Sequence, residues 1–205
     1  MTFFFDQESL GEVILDTSAI INLAGSGYGE QILKALPYEF LTTDIVRDEL
    51  HEGRMRGWNH AKIFDSMVKF SLVKVLNIES DCEKTFESLV LGNGANTLDD
   101  GEASVLAVAA PRAAIVALDE NKAMRITRER FPNMQLISSC DLFRHPAVKK
   151  ALTKSEMQNA IFSALSTTRM RVLEHHRDWV LETIGSKDVA KCTSLPRSLR
   201  THQVS

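Results

Sequence analysis

Apolar residues along this chain come in two patterns, short unbroken runs and helical stripes, and their alternation predicts a fold. The run "EVILD" (12–16) is β-branched and ends in an acid, and "TSAIINLAG" (17–25) follows with helical spacing and Gly25 as a C-cap. "YEFLTT" (38–43) leads into "DIVRDELHEG" (44–53), a helix capped by Thr42 or Thr43 that stops near Gly53. "KFSLVKVLNI" (69–78) alternates as an edge strand does, and "SDCEKTFESLVLG" (80–92) reads as a helix with one charged face. After the loop "GNGAN" comes "LDDGEASVLAVAA" (98–110), a helix of small apolar residues with acids at its mouth. "AAIVALD" (113–119) is a second apolar strand ending in an acid; it turns directly into the helix "ENKAMRITRERF", and "MQLISSCDLF" (134–143) supplies a last short strand. Strands without alternation, separated by helices, predict a mainly parallel sheet covered on both faces, hence a three-layer α/β/α domain over about 10–145.

Beyond it the pattern changes, predicting a helical extension over 146–190 and a mobile tail over 191–205. "SEMQNAIFSALSTTRMRVLEHHRDWVLETIG" (155–185) opens with Ser155 and Gln158 in capping-box spacing, and Met157, Ile161, Leu165, Val172 and Trp179 recur as one face. One long helix, or two broken at 166–168, satisfies it. Such a stripe packs on its own domain or forms a dimer or partner interface; the segment is expected to serve assembly or partner binding and to supply no catalytic group. His175 and His176, adjacent and so divergent on a helix, read as surface residues. The tail is polar with basic punctuation.

Composition narrows the class. Hydrophobic residues at 44% and charged residues at 25% are ordinary for a water-soluble domain. A net charge of −3 excludes general attraction to nucleic acid, so binding of that kind needs a local basic patch. Cys82, Cys140 and Cys192 have no metal or CxxC spacing and are expected to be free thiols, which suits a reducing compartment. "MTFFFDQES" has no basic region of a signal peptide, and no run approaches a membrane span, so a cytoplasmic protein is expected.

Candidate chemistry lies in the acids. Ligands of parallel sheets sit beyond the carboxyl ends of the strands, where Asp16 and Asp119 both fall; each could also be an ordinary helix cap. At about 100° per residue, Glu49 projects between Ile45 and Val46, close to Leu50, and so faces inward, while Asp48 points away with Asp44. The same arithmetic puts Glu102 on the face of Val105, Leu106 and Ala109 and turns Asp100 outward. Thr97 or Asp99 can cap that helix, Asp99 with Glu102 forming a capping box. Four converging carboxylates repel unless a cation neutralises them. Oxygen ligands alone point to a hard ion, Mg²⁺ or Mn²⁺, whose expected chemistry is hydrolysis of a phosphodiester.

At these residues the chain resembles the PIN-domain nucleases, and within them toxins of VapC type. "VILDTSAIINL" is similar to the family's opening strand and Asp-Thr-Ser motif, "TTDIVRDEL" to the segment with the second acid, "LDDGEASVLAVAA" to the Gly-Glu start of the central helix, and "VALDENKAMRI" to the strand end with the fourth acid. The resemblance covers about 12–143. It implies a PIN fold, Mg²⁺ or Mn²⁺ held by Asp16, Glu49, Glu102 and Asp119, a supporting hydroxyl from Ser18 and an auxiliary carboxylate from Glu120. It also implies cleavage of RNA, a homodimer, and silencing by an antitoxin. A toxin of this type would end near Phe143, whereas this chain runs about sixty residues further.

Phosphates need cations, and Arg54, Arg56, Lys122 and Arg125 are the expected RNA contacts, with Arg128 and Arg130 beyond them. Trp58 and Tyr28 could stack on bases or belong to the core. Two rival readings differ in class. One is a catalytically inactive PIN-like scaffold for RNA or protein. The other is a phosphotransferase with Asp16 as nucleophile, against which Ser18 stands where such families carry a second Asp.

Overall fold

The computed structural model describes residues 11–55, 59–92 and 94–201. Its elements run β1 (Gly11–Leu15), α1 (Thr17–Gly25), α2 (Gly29–Ala35), β2 (Tyr38–Thr43), α3 (Asp44–Met55), α4 (His60–Lys69), β3 (Lys74–Leu76), α5 (Ser80–Val90) and α6 (Asp100–Ala109). There follow β4 (Ile115–Ala117), α7 (Asn121–Arg130), β5 (Leu136–Ile137), α8 (Ser139–Arg144), α9 (Pro146–Ala151), α10 (Lys154–Thr167), α11 (Arg177–Ile184), α12 (Ser186–Val189) and α13 (Arg197–Thr201).

All five strands are parallel in the order β3-β2-β1-β4-β5. This is the expected three-layer α/β/α arrangement. The chain builds outward from β1 to β2 and β3, then returns to place β4 on the other side of β1. The order therefore reverses at the β1–β4 junction, and a crevice opens beyond the carboxyl ends of these two strands. Leu15 pairs with Ala117, and the Asp16 N–H reaches the Ala117 carbonyl at 3.4 Å. Asp16 and Asp119 thus leave the sheet side by side.

Burial explains why the strand sequences do not alternate: Val13, Ile14 and Leu15 are wholly inaccessible, as are Val116, Ala117 and Leu118. Helix α6 is also buried all round from Ala103 to Ala109, which its small side chains permit. KFSLVKVLNI contributes only three residues of strand, at the sheet edge.

The C-terminal third departs from expectation. Residues 146–190 do not form an appendage: Ile161, Leu165, Val180 and Ile184 join the same apolar core as β1 and α6, with Met157, Val172 and Trp179 packed against it. Of the two coverings open to the stripe, its own domain or a partner, the chain's own core is the one it takes. The capping box lies two residues earlier than expected, on Thr153 and Glu156, and the helix breaks after Thr167, the second of the two expected arrangements. The described part of the tail is packed as well, with Cys192 and Leu195 buried. Polar composition does not prevent this, because two apolar side chains suffice to anchor a short turn. Cys82, Cys140 and Cys192 are free and buried. Among the described residues, no helix is long and apolar enough to cross a membrane.

Candidate active site

Asp16 caps α1, with its Oδ1 accepting from the Ala19 N–H at 2.7 Å and its Oδ2 from the Ser18 hydroxyl at 2.8 Å. The two donors fix the carboxylate without neutralising it. Burial and the Asp119 charge raise the Asp16 pKa to about 8, against the pull of those hydrogen bonds.

Asp119 is held in the same manner. Its Oδ1 accepts from the Ser139 N–H and its Oδ2 from the Asn22 amide, both at 2.8 Å; the Ser139 hydroxyl also donates to Oδ2. Burial nevertheless raises its pKa above the usual carboxylate range. Asn22 accepts in turn from the Thr168 hydroxyl at 2.7 Å. The C-terminal segment is therefore two hydrogen bonds from Asp119. Gly25 explains how it gets so close: a Cβ there would stand 2.1 Å from the Thr168 methyl. Gly25 is the last residue of α1, with Ser26 as C-cap, and its missing side chain serves this approach.

Glu102, in the first turn of α6, is half-buried; burial and the neighbouring Asp99 raise its pKa to about 7. Asp99 is the N-cap of α6, but its side chain makes no capping bond and no capping box forms. Glu49 supplies the cap from another helix instead. Its Oε1 accepts from the Gly101 N–H at 2.9 Å and its Oε2 from the Thr17 hydroxyl. A Cβ at residue 101 would lie 2.4 Å from the Glu49 carboxylate, so glycine at the start of α6 makes this contact possible. The phase argument holds, since Asp48 and Asp100 are exposed.

Asp16, Glu102 and Asp119 line one open cavity of about 610 Å³ at the β1–β4 crevice, with Ser18, Asn22 and Glu120. Glu49 stands beside it, occupied by Thr17 and Gly101, and is not among the lining residues. Thr168, Arg169, Met170 and Arg171 complete the wall. Among the described residues, no Lys or Arg forms an ion pair with Asp16, Glu102 or Asp119; Asp99 also lines the cavity, and Glu120 at the rim pairs with Arg171 at 2.9 Å.

A family model described as a PIN domain matches residues 12–185. The chain belongs to the PIN-domain family. The match takes in α9, α10 and α11 and stops before α12, so it extends beyond the resemblance over 12–143. No curated protein and no solved structure gives a significant match. The PIN domain is a nuclease fold, and its members generally depend on divalent metal. The donor set here fits such an ion: oxygens only, raised in pKa chiefly by burial, Asp16 also by Asp119 and Glu102, with Asp16 and Asp119 held by neutral side chains as metal ligands usually are.

Of the expected RNA contacts, Arg56 lies outside the described residues, as does Trp58, and the Arg54 side chain is not described. Lys122 lies close enough to Glu102 to lower its pKa. Arg125 is occupied by Glu129 and by the Ala95 carbonyl. Arg169 and Arg171 are not among the expected contacts, because they fall in the segment expected to be an appendage. The one signal in the sequence is the predicted break at 166–168, which frees the residues after it from the helix.

Proposed function

We propose that this PIN domain is an Mg²⁺- or Mn²⁺-dependent endoribonuclease. The observation that carries the reading is the convergence of Asp16, Glu102 and Asp119, from three separate parts of the chain, on one cavity, with no ion pair to any of them among the described residues. Asp16, Glu102 and Asp119 would hold the ion, with Glu120 as an auxiliary ligand at the rim. Glu49 would act mainly by fixing the start of α6 and so aiming Glu102. A bound ion would supply an activated water and offset charge at the phosphorus. Ser18, Ser139 and Asn22 orient Asp16 and Asp119, and Lys122, Arg169 and Arg171 would receive phosphate oxygens. To bind substrate, Arg171 would exchange Glu120 for a phosphate.

The four-motif resemblance supports a finer reading: a cytoplasmic toxin of a toxin–antitoxin or defence system, homodimeric and silenced by a regulatory protein over the acidic cavity. A small adjacent reading frame for a DNA-binding antitoxin, co-purifying with this chain, would bear that out.

The test of the nuclease uses chelator-stripped protein with a mixed-sequence RNA and the matching single-stranded DNA. RNA should be cut only after Mg²⁺ or Mn²⁺ is restored, and Asp16→Asn should not cut it. Binding without cleavage under every metal condition would favour the scaffold, and a phosphoaspartate trapped at Asp16 would favour the phosphotransferase.

A further inference from the structure

The two histidines expected to be divergent surface residues are neither. Glu174–His176 forms a 3₁₀ turn rather than part of an α-helix, and the two imidazoles stand 4.0 Å apart between centroids, tilted by 47°. His176 is 1% exposed, and among the described residues neither of its ring nitrogens has a well-aligned hydrogen-bond partner. Its Nε2 approaches Asp141 Oδ1 to 3.0 Å, yet without the alignment of a hydrogen bond. A buried imidazole left in this way has its Nδ1 unmet and its Nε2 only partly met by the carboxylate, which costs desolvation energy. Something beyond the Asp141 carboxylate is needed to satisfy it.

We propose that Asp141, His175 and His176 form a second metal site, separate from the acidic cavity, that takes a borderline transition ion of the Zn²⁺ class. One ligand atom from each residue lies within 4.8 Å of the others. Zn²⁺ bonds of about 2.0–2.2 Å require somewhat closer ligands, and the exposed His175 is free to close the difference by rotating. Two imidazoles with one carboxylate suit Zn²⁺, Co²⁺, Ni²⁺ or Cu²⁺ and are a poor match for Mg²⁺, which prefers oxygen. Asp141 is already oriented as a ligand, since the N–H and hydroxyl of Ser138 donate to its Oδ2 at 2.8 and 2.7 Å and leave Oδ1 towards the histidines. Such outer donors are a regular feature of metal-binding carboxylates. Three protein ligands leave a fourth position, on the side where His175 borders a second open cavity of about 580 Å³.

The position gives the ion a structural consequence. Asp141 lies in the first turn of α8, whose first residue, Ser139, holds Asp119. His175 and His176 end the stretch that begins at Thr168 and carries Arg169 and Arg171 along the acidic cavity. An ion here would clasp that stretch to the helix supporting Asp119.

The experiment uses the full chain, stripped of metal and titrated with Co²⁺ as a visible probe. It should bind with the intense ligand-field bands of a four-coordinate site, lose them to Zn²⁺, and keep them in excess Mg²⁺. His175→Ala, at an exposed position, should stay folded by circular dichroism, lose the bands and weaken Zn²⁺ binding tenfold or more. It should also lose the rise in Tm that Zn²⁺ gives the parent chain, while Asp16→Asn keeps both. His175→Gln provides the same test should the alanine variant not fold. Bands absent from the parent chain, or retained in the folded His175 variants, would overturn the proposal. So would bands lost in Asp16→Asn, which would put the ion in the acidic cavity.

Discussion

Asp119 and Asp141 meet the same short helix from two sides and end in opposite electrostatic states. Asp119 takes its donors from Ser139 and Asn22, and Asp141 takes its own from Ser138. Burial pushes both upward. In Asp119 burial wins, because only neutral donors face it and the other nearby charges are acids. In Asp141 the His176 imidazole and the Ser138 donors outweigh burial and hold the carboxyl below its usual range. Neutral donors orient both carboxylates and pull both downward; at Asp119 they do not offset burial, and at Asp141 the added imidazole tips the balance. Asp16 and Asp119 have orientation with no such offset, and that is the preparation expected of a site completed by a cation from solution.

The contrast is broken most severely at the cavity. Asp119→Asn or Asp16→Asn should lower metal-dependent RNA cleavage by more than ~100-fold, beyond the usual 10–100-fold of an outer-shell change, while circular dichroism shows a folded chain. Wild-type cleavage by either variant would remove these acids from the site. Ser139→Ala takes away the hydroxyl that orients Asp119 and should lower Mn²⁺ affinity and cleavage by about 10–100-fold. An unchanged Mn²⁺ titration would mean that the Asn22 amide and the backbone suffice.

Acid and base should separate the two regions by stability. Asp16 and Glu102 release their protons near pH 8 and 7 in the folded chain but near 3.8 and 4.5 when unfolded. In that interval the folded state holds more protons, so their contribution without metal is fully present below about pH 4 and is lost as pH rises to about 8. Asp141 runs the other way: its contribution is present above the unfolded pKa of 3.8 and is lost as pH falls through its lowered folded value. Metal-free Tm measured from pH 5 to 8 should therefore fall, and Asp16→Asn should flatten the slope. A parent Tm that climbs across that range would contradict the assignment.

Smaller effects sharpen the boundary. Asp141→Ala removes the N3 partner of the Ser138 capping box and should cost about 1–2 kcal/mol in urea unfolding at pH 7. Asp48→Asn changes an exposed side chain and should leave cleavage and stability within about 0.5 kcal/mol, in contrast to Glu49→Gln. A larger loss from Asp48→Asn than from Glu49→Gln would defeat the helical-phase argument.

Local chemistry was legible from the chain alone. The β-branched runs specified β1, β2 and β4 because buried parallel strands need apolar residues on both faces, and helical phase separated Glu49 from Asp48 and Glu102 from Asp100. That Asp16 and Asp119 close equivalent strands was visible too, though not that β1 and β4 are neighbours, which strand order decides. Tertiary structure also decided where Glu49 spends its carboxylate, since the orphan N–H of Gly101 could be met by Asp99 or by a residue fifty positions away, and only packing brings the latter within reach. It overruled the reading of the last sixty residues for the same reason. An apolar stripe specifies that a helix must be covered but carries no address for the surface that covers it; here that surface is α1 and the central core. The 3₁₀ turn at Glu174–His176 depends on long-range contacts as well, and with it the meeting of two histidines that an α-helix would have held apart.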